Sequence, residues 1–340
     1  MAIGAVSAAA RRVWRALRAW RLRARTARDA KRAFRYDVRR FMENAGALHL
    51  DRKAAACAEI VMGYHVLEKG LTMPRRRLGF GQGAVVHLVN LVCGFERRFG
   101  AGEPQVDHAT RVLRAYWDLH EKEGVDALDA STVSALRNFL SGRSGAAAVE
   151  PHVTCESFFA AKDSPFPEFA ASRHVLRHFA KPVPRETVEA AVSLAMTAPS
   201  ACNRQHARVH VVDDHDLRDR LFALQGGTRG FGSDADKVIV VTSDLSAIRW
   251  GWERNDCYVN GGIFVMNLCY ALHYHGVAHC ILHWSVPPEA DRAAHELLGI
   301  PPNEIIVQLL ACGLPPDEFD VAASPRRGVD EILTWHGGGR

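Results

Sequence analysis

A chain of 340 residues that is 48% hydrophobic and 24% charged has an ordinary globular composition, can bury a sizeable core and is long enough for two domains. Its eight cysteines form no C-x-x-C pair, which speaks against a disulfide framework and for a reducing, cytosolic setting. The net charge of +5 hides an asymmetry: residues 11–40 hold thirteen Lys or Arg against Asp29 and Asp37, so this segment carries +11 and the remainder −6.

Within that segment Val13, Leu17, Trp20, Ala24, Ala27, Lys31, Phe34, Val38 and Phe41 step by alternating fours and threes. The spacing predicts one long amphipathic helix over residues 1–45, with an apolar stripe on an otherwise arginine-covered surface. The stripe suits docking on an anionic membrane surface, with tryptophans in the interface and arginines on lipid phosphates. Packing on the chain's own domain or on a partner helix suits it equally, and both uses stay open. The short apolar Ala2–Val6 segment precedes the charges instead of following them, unlike a secretory signal, so a cytoplasmic location is expected, with peripheral attachment at the inner membrane face left open. No apolar run approaches the roughly 20 residues a bilayer span requires. The longest, Gly261 to Leu272, is broken by Asn267 and reads as a buried helix.

Four helical patterns follow, near residues 52–69, 84–98, 106–122 and 129–140, and define an all-helical domain over 46–145. Gly70 reads as the end of the first, and the Gly79–Gly83 turn precedes the second. His65 and Glu68 share a helix face, and Arg75, Arg76 and Arg77 crowd the next loop. An anion site is one reading; a helix cap beside a solvated charge run is the simpler one. The small-residue run Ser141 to Ala148 has the composition of a linker, placing a boundary between about 141 and 160.

Beyond it strands alternate with helices. In Ser172–Phe179 the groups Arg173, His174 and Arg177 fall within five residues, and their guanidinium forks and imidazole suit a grip on phosphate. Pro184 opens a run in which Val188, Ala191, Val192, Ala195 and Met196 recur at helical spacing. After the stop at Ala198–Pro199 come Ser200, Asn203 and Gln205, short polar side chains suited to the edge of a planar heteroaromatic ring. Ala207–Val212 alternates like a strand, Lys237–Ser243 reads as a buried one, and Gly276–Trp284 holds another. Ser324–Arg327 adds a late basic pair, Arg326 and Arg327.

This order of motifs resembles the nitroreductase family, in which an R-[RH]-S-x-[RK]-x-F segment, a helix and an [AS]-P-S-x-x-N-x-Q-P-W loop build much of an FMN site. The resemblance covers roughly Pro165 to Trp335. It implies an α+β fold over residues 160–336, a mostly antiparallel sheet flanked by helices and preceded by the all-helical region. It further implies that Arg173 and His174 bind the phosphate or ribityl end, that Arg177 lies near the pyrimidine edge, and that Asn203 hydrogen-bonds the ring. Val175, Pro199, Ser200, Gln205, Leu282 and His283 would complete the flavin shell, with Arg326 and Arg327 returning to the phosphate. Family members are homodimers with FMN at the interface, and the Gly261–Gly262 pair fits a helix that approaches a partner closely. The expected activity is transfer of reducing equivalents from NAD(P)H through FMN to an organic acceptor by a ping-pong mechanism; no catalytic residue, no metal and no nucleic-acid partner is assigned.

Departures from the family pattern are specific. Val175 stands where the family usually has Ser, His206–Ala207 replaces Pro-Trp, and Leu282, His283 and Trp284 narrow the pocket where many relatives have a small or acidic residue. The Tyr64–Pro74 segment resembles helical extensions on nitroreductase-like proteins encoded near polysaccharide biosynthesis genes, and Val175, His206 and Ala207 keep open an alternative: a non-catalytic or weakly catalytic peripheral component of surface-polysaccharide assembly. Other chemistries fit less well. His279 and His283 would stand about 13 Å apart on one strand at ~3.3 Å per residue, too far for one tetrahedral metal ion. Cys202 has no neighbouring cysteine to resolve a redox thiol, and no G-x-S-x-G nucleophile elbow occurs.

Overall fold

The computed structural model describes residues 8–148 and 151–337; the Ala2–Val6 segment lies outside them. Helices in the first part are α1 (Ala8–Asn44), α2 (Lys53–Leu71), α3 (Gln82–Phe99), α4 (Pro104–Glu123) and α5 (Ala130–Leu140). There follow α6 (Cys155–Phe159), α7 (Phe166–Ser172), α8 (Arg185–Ala195), α9 (His215–Gln225), α10 (Asp256–Tyr274), α11 (Pro288–Leu298) and α12 (Val329–Ile332). The strands are β1 (His152–Thr154), β2 (Ala207–Val212), β3 (Lys237–Asp244), β4 (Ala278–His283), β5 (Glu304–Gly313) and β6 (Glu318–Asp320). This is the expected α+β architecture, with a helical region ahead of an antiparallel sheet flanked by helices.

The chain forms two compact units: residues 1–49 with 158–316, and residues 50–157 with 317–340. In the first, four antiparallel strands lie in the order β2-β3-β5-β4. The β3 run Val238–Ser243 is buried on both faces, so a continuous apolar sequence serves it better than an alternating one. Ile239 and Val241 from β3, with Leu310 and Cys312 from β5, pack on Val188, Ala191 and Ala195 of α8 and on Phe264, Leu268 and Leu272 of α10. The run read as a buried helix is therefore the middle of α10. Gly261 serves this packing, because a Cβ there would lie 2.7 Å from the Val307 side chain, whereas Gly262 has nothing within 4 Å. Of the glycine pair, only Gly262 is free to meet a partner.

The amphipathic helix expected at the N-terminus is α1, and it belongs to the sheet unit. Its inner face is not the apolar stripe. Thr26 and Ala30 lie against Gly251, where a Cβ would stand 2.2 Å from the Ala30 nitrogen, and Asp37 takes a two-pronged ion pair from Arg254, with Nη2 2.6 Å from Oδ1. Val13, Trp14, Leu17, Trp20, Phe34, Val38 and Phe41 stay exposed.

In the second unit α2 to α5 enclose Ile60, Leu67, Leu88, Val92, Leu113, Tyr116 and Leu136. β1 pairs antiparallel with β6, so the chain after Pro316 leaves the sheet unit and joins the helical one. Glu68 is fully buried and 2.7 Å from His108 Nε2 and 3.3 Å from His65 Nδ1. Burial pushes its pKa up, but the hydrogen bonds to His108 and His65 outweigh that and hold the carboxyl below its usual value. His65 and Glu68 thus belong to an internal polar cluster. Arg76 donates to the Leu71 carbonyl at 3.1 Å, a helix cap, in keeping with the simpler reading of the arginine loop. α2 continues one residue past Gly70, whose missing side chain makes room for the Phe80 ring; a Cβ there would be 2.1 Å from it. Among the described residues no helix is long and apolar enough to cross a membrane.

The Gly251 contact is with helix backbone, which cannot turn aside as a flexible side chain can. Gly251→Ala is expected to cost about 1–3 kcal/mol of local stability and to speed hydrogen exchange selectively in residues 8–44; unchanged exchange there would refute the docking role.

Candidate functional site

The segment after α7 runs extended beside the sheet. Leu176 N donates to the His279 carbonyl at 3.0 Å and Ala180 N to that of Leu314 at 2.8 Å, while Phe179 fills the space left by Gly313. These bonds fix Arg173, His174, Val175 and Arg177, all half-buried, along the start of β4 and the end of α10. Ser172 Oγ lies 3.0 Å from His273 Nε2, which ties the segment to the last turn of α10.

Arg173 is the unusual member. Its Nε and Nη1 are buried without a hydrogen-bond partner. Around it stand His273, His279 and Cys269, none of which carries negative charge. Burial, with repulsion from Arg173 and His174, lowers the His273 pKa to about 4; burial and Arg173 lower that of His279 to about 3 although a Val277 carbonyl works the other way. Burial raises the Cys269 thiol to about 12, against the pull of Arg173. A guanidinium with two buried donors unmet among the described residues is short of an anion, since an uncompensated buried charge costs several kcal/mol. The donor set fits a phosphate.

The second patch is a strained loop. Cys202, Asn203 and Gln205 have φ of 52°, 52° and 47°, left-handed values that are uncommon outside glycine and mark a backbone held by its surroundings. Arg204 does the holding: it donates to the carbonyls of Ala201 and Ala247 at 3.0 and 2.9 Å, grips Glu253 through two bonds of 3.0 and 3.1 Å, and reaches Asp256 at 3.2 Å. Ser200 Oγ accepts from Gln205 N at 2.9 Å, and Asn260 Oδ1 of α10 accepts from Ala201 N at 2.7 Å. With its frame fixed, the loop leaves Pro199, Asn203 and Gln205 exposed. Next to it His206 is buried, with Nδ1 2.6 Å from Ser243 Oγ. It lines, with Pro199, Ser200, Val192, Met196 and Phe264, a mostly apolar cavity of about 320 Å³.

Within one chain the two patches are anchored at opposite ends of α10. One is tied to Asn260 and the other to His273, thirteen positions apart on α10, so ~20 Å of helix separates the two anchors at 1.5 Å per residue. Leu282 is buried in β4 and His283 exposed at its end, where Nδ1 accepts from Ser285 N at 3.2 Å. Arg326 and Arg327 belong to the helical unit; Arg327 donates to Glu331 at 2.8 Å and lies 3.7 Å from Cys57 Sγ, and Arg326 donates to the Ser324 carbonyl. Sequence reasoning missed Arg204 and Asn260, and weighed His273 and His279 only as metal ligands. Arg204 sits inside the motif but reads as a surface cation, and nothing local marks Asn260 as the residue that caps the loop.

A family model described as "Nitroreductase family" matches residues 170–228, the stretch that contains both patches. A protein of Archaeoglobus fulgidus named as an NADH dehydrogenase/NAD(P)H nitroreductase is 29% identical over 153 residues, 43% of this chain and 83% of its own length. Among solved structures, a nitroreductase from Desulfovibrio desulfuricans in complex with FMN is 22% identical and covers 52% of this chain and 99% of its own, with a TM-score of 0.43. An NAD(P)H:FMN oxidoreductase from Staphylococcus epidermidis is 16% identical over 51% of this chain and 96% of its own, with a TM-score of 0.45.

The neutral histidines set a pH dependence. Folded His273 and His279 resist protonation, whereas the unfolded chain takes up protons near the ordinary value of 6.5, so their contribution is full above that pH and shrinks as pH falls toward 4. Urea unfolding at pH 7 and pH 5 is expected to differ by roughly 1–2 kcal/mol per histidine, and His273→Phe should flatten the slope; equal slopes would contradict the assignment.

Proposed function

We propose that the sheet unit binds FMN and that the protein is an oxidoreductase passing reducing equivalents from NAD(P)H to a small organic acceptor. The observation that carries this is Arg173, whose buried, partnerless guanidinium donors sit in the segment where the resemblance expects the cofactor's phosphate. When bound, FMN supplies hydride acceptance from the nicotinamide and hydride donation to the acceptor, the two halves of a ping-pong cycle. The chain supplies position and electrostatics. Arg173 and His174 hold the phosphate end, Arg177 puts positive charge at the pyrimidine edge, and Asn203, Ser200 and Gln205 present donors and acceptors to the ring. Val175 and Leu282 offer apolar wall, and His283 stands at the exposed end of β4.

The distance along α10 makes the site a shared one. The first half of α10 exposes Tyr258, Val259 and Ile263 (56%, 58% and 41%) beside Gly262, an apolar face for a helix that is otherwise buried. Two copies paired about a two-fold axis with their α10 helices antiparallel would set the Asn203 loop of one against the Arg173 segment of the other. Each homodimer would then hold two equivalent sites.

Arg173→Ala is expected to weaken FMN binding by roughly 10–100-fold, the loss of a charge-assisted pair, read as flavin absorbance in purified protein and by titration. Undiminished FMN content would remove the basis of the assignment. A mixing experiment checks the sharing: Arg173→Ala and Asn203→Ala chains, each poor in FMN alone, should regain one good site per mixed dimer when refolded together, whereas a site built within one chain would regain none.

A further inference from the structure

We propose that α1 lies flat on an anionic lipid surface, its apolar stripe seated among the headgroups and its arginines on lipid phosphates. The inference is independent of the flavin assignment and holds whether or not the sheet unit takes up FMN.

The face α1 turns to its own unit consists of Thr26, Ala30 and Asp37, held by Gly251 and Arg254. At about 100° per residue the stripe of Val13, Leu17, Trp20, Phe34, Val38 and Phe41 is centred about 100° round the helix from that face. Docking therefore leaves the stripe in solvent: Val13 is 59% exposed, Trp20 66% and Phe41 65%. An exposed stripe reaching from Val13 to Phe41 is ~42 Å long at 1.5 Å per residue, and so much unpartnered aromatic and aliphatic surface marks an interaction site. The open helix surface also carries most of the segment's thirteen cations, and its two acids are already engaged, Asp29 at 3.7 Å from Arg25 and Asp37 with Arg254.

Charge decides among occupants. A second α1 would bring the same +11 against the first and offers no run of acids beside the stripe for interhelical pairs. A nucleic acid would satisfy the arginines and leave the tryptophan and phenylalanine stripe in water. A bilayer bearing anionic lipids takes both, with aromatic side chains at headgroup depth and guanidinium groups at the phosphates. With this charge α1 lies on the membrane and does not span it.

The test is co-sedimentation of the full chain with vesicles rich in phosphatidylglycerol and with phosphatidylcholine vesicles. Binding is expected to the first and not the second, and to disappear at high salt. Arg21→Gln, Arg28→Gln and Arg32→Gln together should weaken it on the order of a hundredfold, and Trp20→Ala roughly tenfold. Circular dichroism and flavin content of both variants, unchanged, would show that the fold is intact. Equal retention on both vesicle types, or unchanged binding of both variants, would overturn the proposal. So would tighter binding to duplex DNA than to the anionic vesicles, or dissociation of a larger oligomer by the tryptophan substitution without vesicles.

Discussion

The buried helix α10 sets the distance between the anchors of the two polar patches. Asn260 near its start holds the 199–205 loop through Ala201, and His273 near its end holds the Arg173 segment through Ser172. Because Leu268, Cys269 and Leu272 between them are packed against the sheet, the helix can neither shorten nor slide without disturbing the core. A rigid rod with a polar group fastened at each end is poorly suited to clasping one ring by itself.

The electrostatics at the His273 end follow from the same packing. Histidines in a dry interior beside a guanidinium stay neutral, and neutral neighbours give Arg173 nothing to neutralise it. At the Asn260 end the arrangement is reversed: Arg204 is saturated by Glu253, Asp256 and two carbonyls, and its role is to impose left-handed backbone on residues that would not choose it. Two arginines in neighbouring motifs thus do unlike things. One lacks a counter-charge; the other is fully spent on shaping a loop.

Much of this was legible in the sequence because it depends on short-range pattern. The helices of the second unit, the buried β3 run and the apolar middle of α10 all announce themselves by periodicity, and Arg173, Asn203 and Gln205 by their order along the chain. What was not legible depends on long-range contact. Nothing near Gly251 indicates that it meets the backbone of Ala30, more than two hundred residues earlier, and nothing near Glu318 indicates that β6 returns to β1. The stripe on α1 was visible, but that it faces away from its own unit depends on Thr26, Ala30 and Asp37, which carry no hydrophobic signal. Likewise, the spacing of the two patches along the chain says nothing of the ~20 Å that α10 puts between their anchors.

Gly251 fastens α1 by touching its main chain, not its side chains. An attachment of that kind is indifferent to most of what the helix displays outward. Provided that small residues persist near positions 26 and 30 and an acid at 37, the remaining surface is open to rewriting by mutation while the sheet unit stays as it is. Where such a protein resides in the cell and what its core does can then evolve on separate schedules.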